Sequence, residues 1–171
     1  ALRMAIGMLA VVAPLQLVAG HISGEVVRHH QPLKLAAIEA YWETRADQPL
    51  SLFGLPDRKA GKTQFEVAIP GAGALAQGVS RETVLQGLDA WPRSDWPVVW
   101  LVYWGFRIMV GLGLAMIGLG LWGAFLVWRG GPERSRLYLW AATLMAPAGF
   151  VAVIAGWVVA EAGRQPWVIY G

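Results

Sequence analysis

Glu161 and Arg164 stand three residues apart at the end of the last apolar stretch, and Trp157 precedes Glu161 by four residues. If the helix continues that far, all three share one face. A ring, a carboxylate and a guanidinium would then be stacked at a membrane boundary. Charges near lipid are costly and rarely incidental. The trio suits a bound charged cofactor; a structural ion pair is the plainer reading. Trp167, after Pro166, has the position of an interfacial anchor.

Two further sets of residues have the right types for chemistry. Arg107 lies within the second apolar stretch, with Met109 two residues on. An arginine at that depth either snorkels to the headgroups or pairs with an anion, such as a haem propionate. A methionine in an apolar helix ordinarily packs, but a thioether is also an axial haem ligand. Residues two apart point to different sides of a helix, so Met109 could ligate iron while Arg107 reaches another group. Lys34 and Glu39 lie five apart on a short predicted helix between the first two spans. That spacing aligns them only loosely, so an intrahelical ion pair is not their obvious role. They read either as a solvated polar face or as donor and proton acceptor flanking a quinol headgroup. A carboxylate there would receive a quinol proton as a general base. His21, His29 and His30 fall outside the predicted spans and read as loop histidines.

The elements that must position these groups follow from hydropathy. The chain has 171 residues, 56% of them hydrophobic and 15% charged. Soluble domains run about 25% charged. Ten Trp fit membrane interfaces, and the absence of Cys excludes disulfides, thiolate metal sites and cysteine nucleophiles. A net charge of +3 with scattered basic residues gives no nucleic-acid footprint. Stretches of about 20 apolar residues span a bilayer. The pattern predicts an all-α integral membrane protein with three transmembrane helices, at residues 1–20, 98–128 and 137–160. A long extracytoplasmic loop, 21–97, separates the first two. A cytoplasmic connector, 129–136, joins the last two, and 161–171 returns outside. The first stretch follows Arg3, starts without Met and contains Pro14, so it reads as a mid-chain span of a longer polypeptide rather than a signal peptide. Arg129, Arg134 and Arg136 against Glu133 place the connector inside by the positive-inside rule, and Arg3 agrees.

Within the loop, residues 31–43 predict a short helix with Leu35, Ile38 and Trp42 on one apolar face. Residues 51–56 predict a turn, 65–69 a short strand, 71–78 an irregular stretch, and 80–88 a second short helix capped by Ser80. Trp91 to Pro97 forms the interfacial lead-in to the second span. Glycines at 105, 111, 113, 118, 120 and 123 predict close helix packing there, and Pro14 and Pro147 predict kinks.

Taken together, G-R-Q-P-W at 163–167 preceded by Gly156-Trp157 and Glu161, F-R-I-M at 106–109, and K-L-A-A-I-E at 34–39 followed by W-E-T resemble the C-terminal half of subunit I of cytochrome bd-type quinol oxidases. The compact loop is similar to the short Q-loop branch, which includes the cyanide-insensitive oxidases. The resemblance implies a multi-pass subunit of a bacterial inner-membrane respiratory enzyme that oxidises ubiquinol or menaquinol outside and reduces oxygen to water without pumping protons. It implies low-spin and high-spin haem b, with haem d or a further haem b. By the same resemblance Met109 is the axial ligand of the low-spin haem b iron and Glu161 belongs to the high-spin haem b iron. Trp157 lies between haems, Arg107 and Arg164 stabilise haem charge, and Lys34 and Glu39 serve quinol oxidation. Implied partners are the remainder of subunit I, subunit II, a small single-helix subunit, membrane lipid, quinol and oxygen. The His ligands and inner proton path would come from the remainder, so this stretch alone is expected to be inactive. His21 stands where many members have Asp and takes no role. The competing readings are a quinone-linked b-type electron carrier without oxygen chemistry and a non-enzymatic membrane protein or channel.

Overall fold

The computed structural model describes residues 1–166; Trp167, the predicted interfacial anchor, lies outside them. The order of elements is α1 (Leu2–His30), α2 (Pro32–Glu39), β1 (Leu50–Asp57), β2 (Lys62–Ile69), α3 (Ala72–Ala76), α4 (Val99–Arg129), α5 (Arg136–Leu144) and α6 (Ala148–Ala162). Three helical stretches are long and apolar enough to cross a membrane: Leu2–His30, Val99–Arg129 and Arg136–Ala162. The fold is mostly helical, and the all-α expectation is corrected by the antiparallel β1–β2 hairpin.

The chain divides into two compact units, residues 1–20 with 108–155, and residues 21–107 with 156–171. In the first unit, small residues let helices approach. A Cβ at Gly120 would meet the backbone of Leu9 and Ala10, and one at Gly123 would meet the Tyr138 hydroxyl and Ile6. Trp122 stands edge-on to Tyr138 at 5.2 Å. Gly111, Gly113 and Gly118 have no neighbour within 4 Å of a Cβ position, so the close packing predicted around them is absent among the described residues. Helix α1 is unbroken at Pro14, whereas residues 145–147 separate α5 from α6, as a proline that removes a donor and clashes with the preceding turn requires.

The second unit holds the core that positions the site. Leu33, Ala36, Ala37, Ile38, Tyr41, Leu88, Val99, Val102, Tyr103 and Val159 are buried together. Helix α2 starts with Pro32 and stops after one face is used, because Ala40 turns left-handed (φ 54°) and Tyr41 N–H donates to Ala36 O at 2.9 Å. Helix α1 runs to His30, ten residues past its predicted end at Gly20, so His21, His29 and His30 are helical rather than loop residues. The described contacts of His29 and His30 are local: His30 Nδ1 lies 3.0 Å from Val26 O, and Arg28 Nη2 lies 2.9 Å from His29 Nε2; the His21 ring lies beside Gly78.

Three loop expectations change. Residues 51–56 form most of β1 instead of a turn. The true turn is at Asp57–Gly61, where Asp57 Oδ1 accepts from the Lys59 and Ala60 amides and Gly61 sits at φ 63°. These amides are the main reason the exposed Asp57 carboxyl lies below the usual carboxylate range. Residues 72–76 are helical, and residues 80–88 contain no α-helix. There Ser80 Oγ contacts Thr83 Oγ1 at 3.1 Å instead of capping, and Arg45 pairs with Leu85 as an isolated bridge. The strand predicted at 65–69 is present as the end of β2.

Candidate functional site

Both ends of α2 are fastened to a membrane-length helix. At its C-terminal end the Glu39 carboxylate, 3% exposed, meets Arg107 of α4, with Oε2 3.3 Å from Nη2. The same guanidinium donates to Ile38 O at 2.8 Å, Ser51 O at 2.6 Å and Tyr103 O at 3.1 Å, and its Cζ stands 3.3 Å over the Tyr103 ring. Arg107 therefore neither snorkels to water nor stands alone. It joins α2, β1 and α4 in one charge-assisted network. Tyr103 completes the join by exchanging a 2.7 Å hydrogen bond with Ser51 Oγ.

At the other end of α2, Lys34 Nζ donates to Ala160 O of α6 at 3.4 Å. A cation at the open carbonyls of a helix C-terminus is favourably placed. The Lys34 stem lies across Gly163, where a Cβ would collide with it and with Val159 O, so only glycine fits. Lys34 and Glu39 thus do not pair; each finds its own partner, as their spacing predicts. Beyond Gly163, Arg164 Nη2 bonds Glu161 Oε1 at 2.6 Å. Both side chains remain about half exposed, and Trp157, on the same face of α6, is exposed as well.

The electrostatics follow from this burial. Desolvation raises the Glu39 carboxyl above its ordinary value, and Arg107 only partly opposes it. Desolvation also lowers the Lys34 ammonium, helped by Arg164 and opposed by Glu161. The Tyr41 hydroxyl, buried beside this network, is raised by desolvation and by the Glu39 charge. Sequence reasoning missed Ser51, Tyr103 and Tyr41. Tyr103 was within reach, since it precedes Arg107 by one helical turn on the same face. Ser51 was not, because its contribution depends on a strand that the sequence reads as a turn.

A carboxylate held beside a guanidinium, and a lysine beside an acid–arginine pair, make two polar stations bridged by one short helix. The comparisons with known proteins identify the family to which the chain belongs. The profile of the family "Cytochrome bd terminal oxidase subunit I" matches residues 1–171. The chain belongs to this family. Among its curated members, the putative cytochrome bd menaquinol oxidase subunit I of Bacillus subtilis is 36% identical over 88% of the chain and 34% of the relative. The cytochrome bd ubiquinol oxidase subunit 1 of the same organism is 32% identical over 90% of the chain and 35% of the relative. The bd oxidase structure from Geobacillus thermodenitrificans superposes with a TM-score of 0.80 at 27% identity, covering 99% of this chain and 39% of that one. The chain spans about a third of the length of the curated relatives it matches.

Cytochrome bd subunit I implies haem, and the residues present fit part of a haem environment. Trp157 is exposed one helical turn before the half-exposed Glu161–Arg164 pair. An exposed ring beside a carboxylate and a guanidinium is compatible with the edge of a flat apolar macrocycle that carries charged substituents. Met109, partly exposed on α4, supplies one thioether. No group of three or more His, Cys, Asp or Glu capable of holding a metal ion occurs among the described residues.

Proposed function

We propose that this chain is the quinol-oxidising part of a bacterial inner-membrane quinol:oxygen oxidoreductase, with α2 and the 40–97 segment at the outer face. The supporting observation is Glu39: a buried carboxylate, raised by desolvation and held by Arg107. Such a group is a better proton acceptor near neutral pH than a free carboxylate. Oxidising a quinol removes two electrons and two protons. Glu39 takes one proton on its carboxylate, water at the outer face takes the other, and the two electrons would leave to the haems the protein holds; Lys34, anchored at the end of α6, orients the headgroup by donating to a quinol oxygen. Arg107 keeps the carboxylate in place and limits how far burial raises it.

Met109 would hold the low-spin haem b iron and Glu161 the high-spin haem b iron, Arg107 and Arg164 would offset negative charge at the haem edges, and Trp157 would lie between haems. Bound there, these haems, with haem d or a further haem b, would supply one-electron transfer and the reduction of oxygen to water. The remaining ligands come from the rest of subunit I, and subunit II with a small single-helix subunit completes the complex. Ubiquinol or menaquinol is the reductant. The test is a reduced-minus-oxidised visible spectrum of the full-length protein in membranes, with quinol-driven oxygen uptake. Haem b bands with uptake are expected. Haem b bands without uptake would leave a b-type electron carrier, and a folded preparation without haem bands would remove the oxidase reading.

A further inference from the structure

The β1–β2 hairpin exposes Leu52, Phe53, Leu55, Phe65, Val67 and Ile69, an unusual apolar load for a connector between helices. The register explains it. Pairing runs Ser51↔Ala68, Phe53↔Val67, Leu55↔Gln64, with irregularities on both sides of Phe53. An extra residue on β1 at Leu52 breaks the alternation, so Leu52 and Phe53 are both exposed. A second, on β2 around Phe65 (φ 50°), throws that ring out to 84% exposure. Bulges re-aim side chains, and these two place apolar groups on the surface rather than in the core.

The hairpin also has a polarity gradient along α4. Its base is tied to α4 by the Arg107–Ser51 bond and by Phe53 packing on Trp104 at 6.4 Å. The Arg107 guanidinium also reaches back to Tyr103 O, so these contacts lie about 6–8 Å below the start of α4 at Val99. Its tip carries Asp57, Arg58, Lys59 and Lys62 and is tied to the segment before α4, where Arg58 donates to Arg93 O. Apolar residues thus lie level with the first turns of a membrane-length helix, and an excess of basic charge lies level with its lead-in. Among the described residues the sheet has two strands, so β2 leaves an open edge. Open edges are not tolerated in hydrocarbon, which restricts the hairpin to the boundary where water still reaches.

We propose that the hairpin is a lipid-docking element: its base, Leu52, Phe53, Val67 and Ile69, is immersed at the headgroup–acyl boundary of the leaflet around the N-terminal end of α4, and its basic tip sits among lipid phosphates. The interface continues the lipid contact of α4 itself and needs no haem or quinol, so it stands or falls separately from the proposed function.

The chain contains no Cys, which permits site-specific labelling once any cysteines elsewhere in the polypeptide are replaced. Nitroxide labels at Val67→Cys, Phe53→Cys and Lys59→Cys are placed in the full-length protein in bilayer discs with anionic lipid. Collision rates with oxygen, which concentrates in lipid, and with a water-soluble nickel chelate are then compared. The oxygen-to-nickel ratio is expected to be several-fold higher at positions 53 and 67 than at 59. Equal ratios would put the base in water. Protection from both agents at 53 and 67 would mean that polypeptide covers the hairpin. Either result overturns the proposal. Positions 59 and 67 are in the turn or exposed, whereas Phe53→Cys gives up the ring contact with Trp104, so an unchanged elution profile is required of each labelled variant, and the Val67 label against the Lys59 label decides by itself if the Phe53 variant fails that check.

Discussion

Replacing Arg107 with Leu should loosen α2 and β1 together. The guanidinium satisfies Glu39, Ile38 O, Ser51 O and Tyr103 O, and the Glu39 carboxylate has no other described charge partner. Removing one member of a buried pair costs about 3–5 kcal/mol, because the other charge is left in a low dielectric. Taking the lower end, about 3 kcal/mol corresponds to about a hundredfold change in a local opening equilibrium. Hydrogen exchange of residues 36–41 and 50–53 in the full-length protein reads that opening directly. Glu39→Gln in the same background removes the stranded charge and should restore part of the loss, giving a coupling of about 1–3 kcal/mol. The sign with pH follows from Glu39. Its folded value is raised and goes higher without Arg107, so its contribution is intact below the ordinary value of 4.5 and is lost as pH rises through the folded value. The variant's deficit should therefore grow from acid to neutral pH. Exchange within twofold of wild type, or strictly additive single effects, would refute the joining of α2 and β1 through Arg107.

The remaining predictions concern turnover and cofactor. Quinol oxidation should fall as pH drops through a value above the ordinary carboxylate range, because protonated Glu39 accepts nothing. Arg107→Leu should move that acid limb upward, and Glu39→Gln should give a slow, flat profile with haem content unchanged; steady-state rates against pH decide. Met109→Leu should abolish or severely perturb the low-spin haem b band in a reduced-minus-oxidised spectrum, and an unchanged spectrum removes Met109 as ligand. Gly163→Ala should displace Lys34, because the new methyl meets the lysine stem and Val159 O; a raised KM for quinol with haem bands retained is the expected readout.

The membrane-length helices were legible in the sequence, and so was the need of Lys34, Glu39, Arg107, Glu161 and Arg164 for partners, for physical reasons. A run of apolar residues has few alternatives to a spanning helix, and charges beside lipid need a purpose. Glu161 and Arg164 were predictable as a pair because their spacing alone puts them on one helical face. What the tertiary structure decided is who else pairs with whom. Arg107 and Glu39 lie 68 residues apart, and Lys34 and Ala160 lie 126 apart, distances over which no periodicity carries information. The hairpin was misread for a related reason. The bulges at Leu52 and Phe65 break the period-two pattern that marks a strand, and the turn lies at Asp57–Gly61 rather than at 51–56. Gly54 is in fact needed where β1 and β2 approach most closely, since a Cβ there would run into Thr63. The end of α1 at His30 was likewise undetermined locally, because Gly20 and the polar residues after it weaken a helix without forbidding one. Local sequence chemistry determined the spanning helices and the Glu161–Arg164 pair; long-range packing decided the partners of Lys34, Glu39 and Arg107.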